Sequence, residues 1–261
     1  MLTQRRAWLF TFASWLGLRP RLWAATPWAV SGERKTEAMP GGARYHELTV
    51  AGGGDVSFQL VEFSSEACTL RIVDQREVGN AKSLAYAMRE AGALAGVNGG
   101  FFTPEFQPLG LVISDGQRVG SWMKSSLLGG VILVKRGRLM LLWREEMGNS
   151  DGVTQLVQAG PRLVNHGSAI TGLDASKSRA RTFIATDNAG RWMLGLCEYT
   201  SLAGLAEILS SVELIPGFQI NRALNLDGGK SSALWLRTAA GQEVSESEFT
   251  SVRNFVALFP R

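Results

Sequence analysis

The stretch 223–232, ALNLDGGKSS, ends an apolar run in a carboxylate, two glycines, a lysine and two hydroxyls, with no bulky side chain among them. Such a loop suits a polar ligand. Asp227 offers an acid, a base or a nucleophile, while Gly228 and Gly229 allow tight turns and leave backbone N–H groups free to hold an anion. Lys230 adds an ammonium, and Ser231 and Ser232 add hydroxyls suited to phosphoryl oxygens. Neither serine has a base in sequence that would make it a nucleophile. A second cluster, 96–102 (GVNGGFF), has a similar composition. Asn98 there can donate and accept at once toward a sugar hydroxyl or a phosphoryl oxygen. Gly99 and Gly100 permit close approach, and of Phe101 and Phe102 one supplies an apolar wall and the other joins the core. Asn225 precedes Asp227 by two residues, so on a strand both point to one side. The two strand-end clusters are expected to meet in one composite site carried by a rigid scaffold.

Arginines at 162 and 181 add planar donor forks that match a phosphodiester, with surface exposure or a structural ion pair as the plainer roles. A glycosidase ordinarily needs two carboxyl groups. No second acid lies beside Asp227 in sequence; Asp174 and Asp187 are the distant options, with Asp187 in a turn-forming DNAG and Glu207 on a helix face, so the acid/base pair stays unassigned. The plainer role for Asp227 itself is capping the glycine turn. With two histidines in the chain, a histidine-based metal site is disfavoured, and His166 in an N-H-G turn reads as surface. The metal assignment is open: Asp227 with backbone carbonyls could hold a divalent cation, Ca²⁺ or Mg²⁺. There is no G-x-S-x-G elbow and no G-x-x-x-x-G-K-[ST] phosphate loop.

These loops need elements to position them. Apolar runs at 56–63, 68–73, 94–97, 110–113, 131–134, 139–143, 156–159, 182–186, 192–197, 223–226, 233–236 and 255–259 have the length of strands. Turn sequences at 114–116, 135–137, 165–167 and 187–190 join several of them as hairpins. Two segments, 82–91 and 201–211, instead space their apolar residues by three and four, with Ser201 as an N-cap. Each precedes a strand that runs into a glycine cluster. The expected fold is α+β: a single domain with a curved mixed, mostly antiparallel sheet and short helices packed against it.

The chain has 261 residues and a net charge of +4. Arg5 and Arg6, the apolar run 7–18, and Ala24-Ala25 read as an export signal over residues 1–25, too short to span a bilayer. The arginine pair partly matches the twin-arginine pattern, with Gln4 as a departure. Cleavage after Ala25 would remove four arginines and no acid, leaving 23 charges of each sign. The basic excess therefore belongs to export, and no nucleic-acid partner is indicated. Residues 26–43, rich in charge, proline and glycine, read as a linker, and 44–261 as the domain. The expected location is periplasmic or secreted, without stable membrane insertion after processing; oligomeric state is not legible. Cys68 and Cys197 can pair in an oxidising compartment or stand as separate core thiols.

The ordered motifs NGGFF (98–102), PLGLVISDG (108–116), QAGPRLVNHG (158–167), RARTFIATD (179–187), SLAGLAEIL (201–209), ALNLDGGKSS (223–232) and VRNFVALFP (252–260) resemble the phosphodiester glycosidase family over nearly the whole of 45–260. The resemblance implies an exported hydrolase that cleaves the sugar-phosphodiester linkage of a glycan or glycolipid, releasing sugar and phosphomonoester. It strengthens a substrate role for Asp227, Arg162 and Arg181. Lys230 departs from the family, which usually has a third glycine there; its ammonium could bind phosphate, alter substrate preference or face solvent. Two alternatives stay open from the residues: a non-catalytic envelope carbohydrate-binding or polysaccharide-assembly protein, and a metal-dependent phosphodiesterase.

Overall fold

The computed structural model describes residues 27–261, so the export signal expected at 1–25 lies outside the described residues. In chain order the strands are β1 (Ala29–Ala38), β2 (Arg44–Ala51), β3 (Asp55–Ser64), β4 (Cys68–Asp74), β5 (Ala95–Asn98), β6 (Val112–Ser114), β7 (Gln117–Val119), β8 (Gly130–Lys135) and β9 (Arg138–Trp143). They continue as β10 (Val153–Ala159), β11 (Arg162–Asn165), β12 (Ser168–Ala169), β13 (Arg179–Thr186), β14 (Arg191–Thr200), β15 (Arg222–Asn225), β16 (Leu234–Arg237), β17 (Glu243–Glu246) and β18 (Asn254–Pro260). Helix α1 (Leu84–Ala91) precedes β5, and α2 (Leu202–Ser211) precedes β15. The α+β class and the mostly antiparallel sheet follow the sequence reading.

Three sheets share the strands: an eight-stranded one ordered β1-β2-β3-β14-β13-β15-β11-β12, and two of five strands, β7-β6-β10-β8-β9 and β17-β16-β5-β18-β4. Every registered pairing is antiparallel. The four expected hairpin turns form because residues able to take positive φ occupy them: Asp115 (47°) with Gly116 (78°), Arg136 (49°) with Gly137 (75°), His166 (49°) with Gly167 (76°), and Asn188 (59°) with Gly190 (107°). Paired positive φ gives the turn a twist that matches the strands it joins.

The main core lies among the three sheets and draws on all of them, with Val97, Ile132, Val157, Leu194, Leu224 and Leu234 fully or almost fully buried. A second core fills the space between the eight-stranded sheet and α2, where Leu205, Ile208 and Leu209 meet Phe58 and Phe183. Each such side chain contributes about 2–3 kcal/mol of burial, which stabilises a helix too short to stand alone. Ser201 caps α2, its Oγ accepting the Gly204 N–H at 3.0 Å, and Ser83 caps α1 in the same way through Tyr86 N–H. Gly92, at φ 69°, ends α1 in the left-handed conformation. Helix α1 presses Leu84, Ala87 and Met88 onto β5 and β16.

The described part of the segment expected as a linker, residues 27–43, is built into the fold instead. It carries β1, an edge strand paired with β2, whose exposed charged residues suit an edge that must resist pairing with another chain. Trp28 and Val30 pack on the α2 core, Met39 and Ala43 are buried, and Thr36 Oγ1 lies 3.0 Å from His46 Nδ1. Cys68 and Cys197 are both unpaired and buried. They belong to different cores, and burial pushes both thiols up from their ordinary pKa.

One buried polar tie crosses the large sheet. Glu62 on β3 accepts from His46 Nε2 on β2 at 3.1 Å and from Arg191 Nε on β14 at 3.0 Å. These hydrogen bonds, His46 first, hold its carboxyl at a pKa of about 2. A depressed carboxylate contributes stability that is fully present above its ordinary 4.5 and is lost as the pH falls toward 2. Glu62→Gln is expected to lower unfolding stability at pH 7 by about 2 kcal/mol and to flatten the acid limb of stability against pH, as measured by urea denaturation across pH 3–7.

Candidate active site

The two glycine clusters meet. Strand β5 delivers Asn98 and β15 delivers Asp227, and the Asn98 Nδ2 donates to the Asp227 carbonyl at 2.7 Å. The Asp227 N–H returns a bond to the Gly99 carbonyl at 3.0 Å. The Asn98 Oδ1 accepts from Thr182 Oγ1 at 2.6 Å and from Ala233 N–H at 3.0 Å. Asn98 is completely buried, so it positions the loops from behind. Asn225, also buried, donates through Nδ2 to the Gly160 carbonyl at 2.9 Å and thereby holds the A-G-P-R turn.

The glycines of the first cluster have a packing reason. A β-carbon on Gly99 would collide with the Asn254 side chain, and one on Gly100 would lie 2.8 Å from Val157 Cγ2. The close approach read from their sequence is thus made to the chain's own strands β18 and β10. Phe102 is the ring that joins the core, packed near α1 and 5.5 Å from Phe106 in an edge-on arrangement.

Asp227 is half-buried. Burial raises its carboxyl pKa, against the pull of hydrogen bonds from the Ser231 side chain and the Gly228 N–H; the latter is 2.8 Å from Oδ1. A capping contact is therefore present, yet it leaves a carboxyl whose ionised form the fold disfavours.

Strand β13 brings a cation alongside. Phe183 stands opposite Asn225, and the Leu226 N–H still donates to the Thr182 carbonyl at 2.9 Å. The strand pairing ends there, and beyond it the Arg181 side chain runs beside Gly228, the residue that follows Asp227. Arg181 is only 7% exposed. Its Nε donates to the Thr200 carbonyl at 3.1 Å and its Nη2 to the Lys177 carbonyl at 2.7 Å; no carboxylate bonds it among the described residues. Burial lowers its pKa, but a guanidinium remains a cation. Desolvating such a charge costs several kcal/mol, which the Coulombic attraction of Asp174 offsets only in part, a local conflict of the kind found where a charge serves a ligand.

Gly228 and Gly229 run beside this guanidinium and its neighbour. A β-carbon on Gly228 would lie 3.7 Å from Arg181 Nη1, and one on Gly229 would lie 3.9 Å from Arg179 Nη1. Gly229, at φ 68°, needs the freedom of glycine. The loop from Gly228 to Ser231, with exposed Lys230, walls a cleft of about 520 Å³ together with Arg179. Asp227 lies one residue behind that wall. Ser231 is buried against Asp227, and Ser232 Oγ, Asn225 Oδ1 and Asn254 Nδ2 are buried without a protein partner, each a group that a ligand or ordered water can satisfy.

The remaining candidates do not line this cleft. Arg162 lines a second cleft, 3.7 Å from a Glu145 oxygen and stacked 5.5 Å from the Trp143 ring centre. Asp187 caps its own hairpin through the Ala189 and Arg191 N–H groups, at 2.7 and 3.0 Å. It stands six residues along β13 from Arg181, about 20 Å away. Asp174 accepts from Ser176 N–H and Oγ, and Glu207 accepts from Trp28 on the exposed face of α2. Among the described residues no group of three or more His, Cys, Asp or Glu is placed to hold a metal; a cation here would rest on Asp227 with carbonyl and hydroxyl oxygens. Arg179 was missed in the sequence, although its R-A-R spacing with Arg181 was the available signal.

A carboxyl of raised pKa and a buried guanidinium that no carboxylate bonds, both beside a glycine loop, form an arrangement that suits an anionic ligand. The chain belongs to the phosphodiester glycosidase family, whose model matches residues 91–259. Solved structures that share its fold include the following three. One is the catalytic domain of zebrafish N-acetylglucosamine-1-phosphodiester alpha-N-acetylglucosaminidase, auto-inhibited by its pro-peptide: 16% identity, TM-score 0.61, covering 91% of this chain and 87% of that one. A hypothetical protein from Synechocystis gives 17% identity and TM-score 0.59, covering 91% and 68%. A protein described as exported from Burkholderia pseudomallei gives 14% identity and TM-score 0.55, covering 80% and 75%. No curated protein matches the sequence.

The raised pKa of Asp227 carries a stability sign. A carboxyl whose folded pKa is raised loses folded-state stability as the pH rises through that value, and asparagine imitates the neutral form. Asp227→Asn is expected to leave the denaturation midpoint at pH 7 unchanged or higher. Asn98→Ala, which strands buried partners, is expected to cost about 3 kcal/mol. A large loss of stability in Asp227→Asn, measured in the same unfolding experiment, would make the carboxylate a structural cap instead.

Proposed function

We propose that the chain is an exported hydrolase that cleaves the sugar-phosphodiester linkage of a glycan or glycolipid, releasing the sugar and a phosphomonoester. The observation that carries this reading is the buried guanidinium of Arg181, bonded by no carboxylate and lying beside the glycine loop that follows Asp227. Family membership and the named activity of the zebrafish relative support it. Arg181 and the Gly228–Ser231 loop hold the phosphate, and Asp227 addresses the anomeric carbon.

The chemistry explains how one carboxyl can serve where glycosidases ordinarily use two. Cleavage of the C–O bond sends its electron pair to the phosphate oxygen, and the departing group is a phosphomonoester whose second proton has a pKa of about 6. Such a group leaves as an anion near neutral pH, so protonation by a general acid matters far less than for an alcohol. Arg181 accommodates the charge that develops on the leaving oxygen. Ionised Asp227 either attacks the anomeric carbon or takes a proton from the attacking water. The hydroxyl gained by the sugar comes from water in both cases.

Export is part of the proposal. Residues 1–25 have the form of a signal, one relative is described as exported, and among the described residues no helix is long and apolar enough to cross a membrane. On this reading the mature protein works in the periplasm or outside the cell.

Asp227→Asn is expected to lower kcat by about a thousandfold or more, and Arg181→Gln to lower kcat/KM by about 10²–10³. With Asp227 acting as base or nucleophile, kcat/KM falls on the acid side with a midpoint above the ordinary aspartate value, because burial raises that pKa. A rate that falls as pH rises through the same range would make Asp227 the acid. Hydrolysis of a sugar 1-phosphodiester in ¹⁸O-water is expected to label the sugar. Label in the phosphate identifies a P–O-cleaving phosphodiesterase, and saturable binding without turnover identifies a carbohydrate-binding protein; either result overturns the reading.

A further inference from the structure

Helix α1 has no acid in its first turn, although a negative charge is favoured at a helix N-terminus. The fold supplies one from 164 residues away: Glu248 Oε1 accepts the Leu84 N–H at 2.8 Å. Glu248 lies in the connection between β17 and β18, and of residues 247–251 it alone is not exposed. Its Oε2 is buried without a protein partner, so the carboxylate gives up solvation to stand there. The next residue, Phe249, turns its side chain to solvent while its N–H donates to the Lys230 carbonyl at 2.8 Å.

These two bonds close a circuit around the site. Helix α1 seats Met88 on β5 so closely that a β-carbon on Gly96 would collide with the Met88 sulfur. Strand β5 ends in Asn98, which binds the Asp227 carbonyl at 2.7 Å. Three residues further on, Phe249 binds the Lys230 carbonyl, and Glu248 leads back to α1. The glycine loop is thus suspended between two main-chain carbonyls, each held by a donor anchored on the same helix–strand unit. Gly228 and Gly229 have no side chains to pack and Lys230 is exposed, so the position of the span depends on its ends.

We propose that Glu248 is a positioning residue: by capping α1 it fixes the segment whose Phe249 N–H holds the glycine loop, and so sets where that loop and the Asp227 carboxyl stand relative to Asn98. The effect on turnover rests on the hydrolase reading above, and the effect on the loop does not. Releasing one anchor draws the Gly228 N–H and the Ser231 side chain away from the Asp227 carboxyl that they bond. Arg181 keeps its place through the Thr200 and Lys177 carbonyls. Phosphate binding therefore persists while the carboxyl loses its aim, and the loss falls on kcat. Ser83 provides the control. It gives α1 a second cap through the Tyr86 N–H and makes no bond to 247–251 among the described residues, so Ser83→Ala weakens the helix end and leaves the circuit intact.

The test compares Glu248→Ala, Glu248→Gln and Ser83→Ala by amide hydrogen exchange and by hydrolysis of the methyl diester of N-acetylglucosamine 1-phosphate. Glu248→Ala is expected to speed exchange about tenfold in 228–232 and 247–251, and to lower kcat about ten- to a hundredfold with KM changed less than about twofold. Glu248→Gln, which keeps the acceptor, is expected to match the wild type in both. Ser83→Ala is expected to speed exchange in α1 alone and to leave kcat unchanged. Faster loop exchange in Ser83→Ala reduces Glu248 to a helix cap and overturns the proposal. Unchanged loop exchange in Glu248→Ala, exchange that quickens throughout the molecule, a looser loop with unchanged kcat, a loss that falls on KM, or a glutamine variant as impaired as the alanine overturns it too. If the wild type does not cleave the diester, the hydrolase reading has failed and the exchange comparison of the three variants alone decides, by the same criteria.

Discussion

The Asn98 amide joins two sheets at the one point where the functional loops cross. It ends β5 in one five-stranded sheet, and it binds the Asp227 carbonyl beyond β15 and the Thr182 hydroxyl on β13, both in the eight-stranded sheet. The reciprocal bond from Asp227 N–H to the Gly99 carbonyl closes the pair. With the side chain wholly buried, an unmade bond here carries its full desolvation penalty, so the relative placement of the loops is held tightly. Asn254 repeats the device one strand over: its backbone and Oδ1 take the N–H groups of Gly99 and Gly100. Gly99 has to be glycine because that amide occupies the space a β-carbon would need.

The large outline was legible because local chemistry and global fold agree. All twelve apolar runs read as strands overlap observed strands, and the serine-capped segments at 82–91 and 201–211 became helices. What was missed follows a physical pattern. Strand β1 mixes charged and small residues, since an edge strand with little burial shows no apolar periodicity and composes like a linker. Strand β11 was hidden because Arg162 and Asn165 bracket only two apolar residues. The meeting of the glycine clusters was expected, yet the reason for their glycines was not. Gly99 and Gly100 look like ligand-loop residues in one dimension and act as packing residues in three.

The electrostatics of the site give its fold an asymmetric use. Asp227 and Arg181 lie on neighbouring segments, and the fold destabilises the charge on each: burial raises the pKa of the acid and lowers that of the guanidinium. Had the two formed a tight ion pair, the carboxyl would show a lowered pKa and the site would be closed on itself. In the proposed reaction, held apart, they would act at the two ends of a bond that breaks unevenly. As a sugar carbon parts from a phosphate oxygen, positive charge grows at the carbon and negative charge at the oxygen, so a carboxylate toward one end and a guanidinium toward the other gain attraction as the bond stretches. Stabilisation that increases along the reaction is the kind that lowers a barrier. It depends on the carboxyl and the guanidinium not drifting into contact, and the arginine is kept from doing so by its bonds to the Thr200 and Lys177 carbonyls, while the aspartate is held by Asn98 through its main chain.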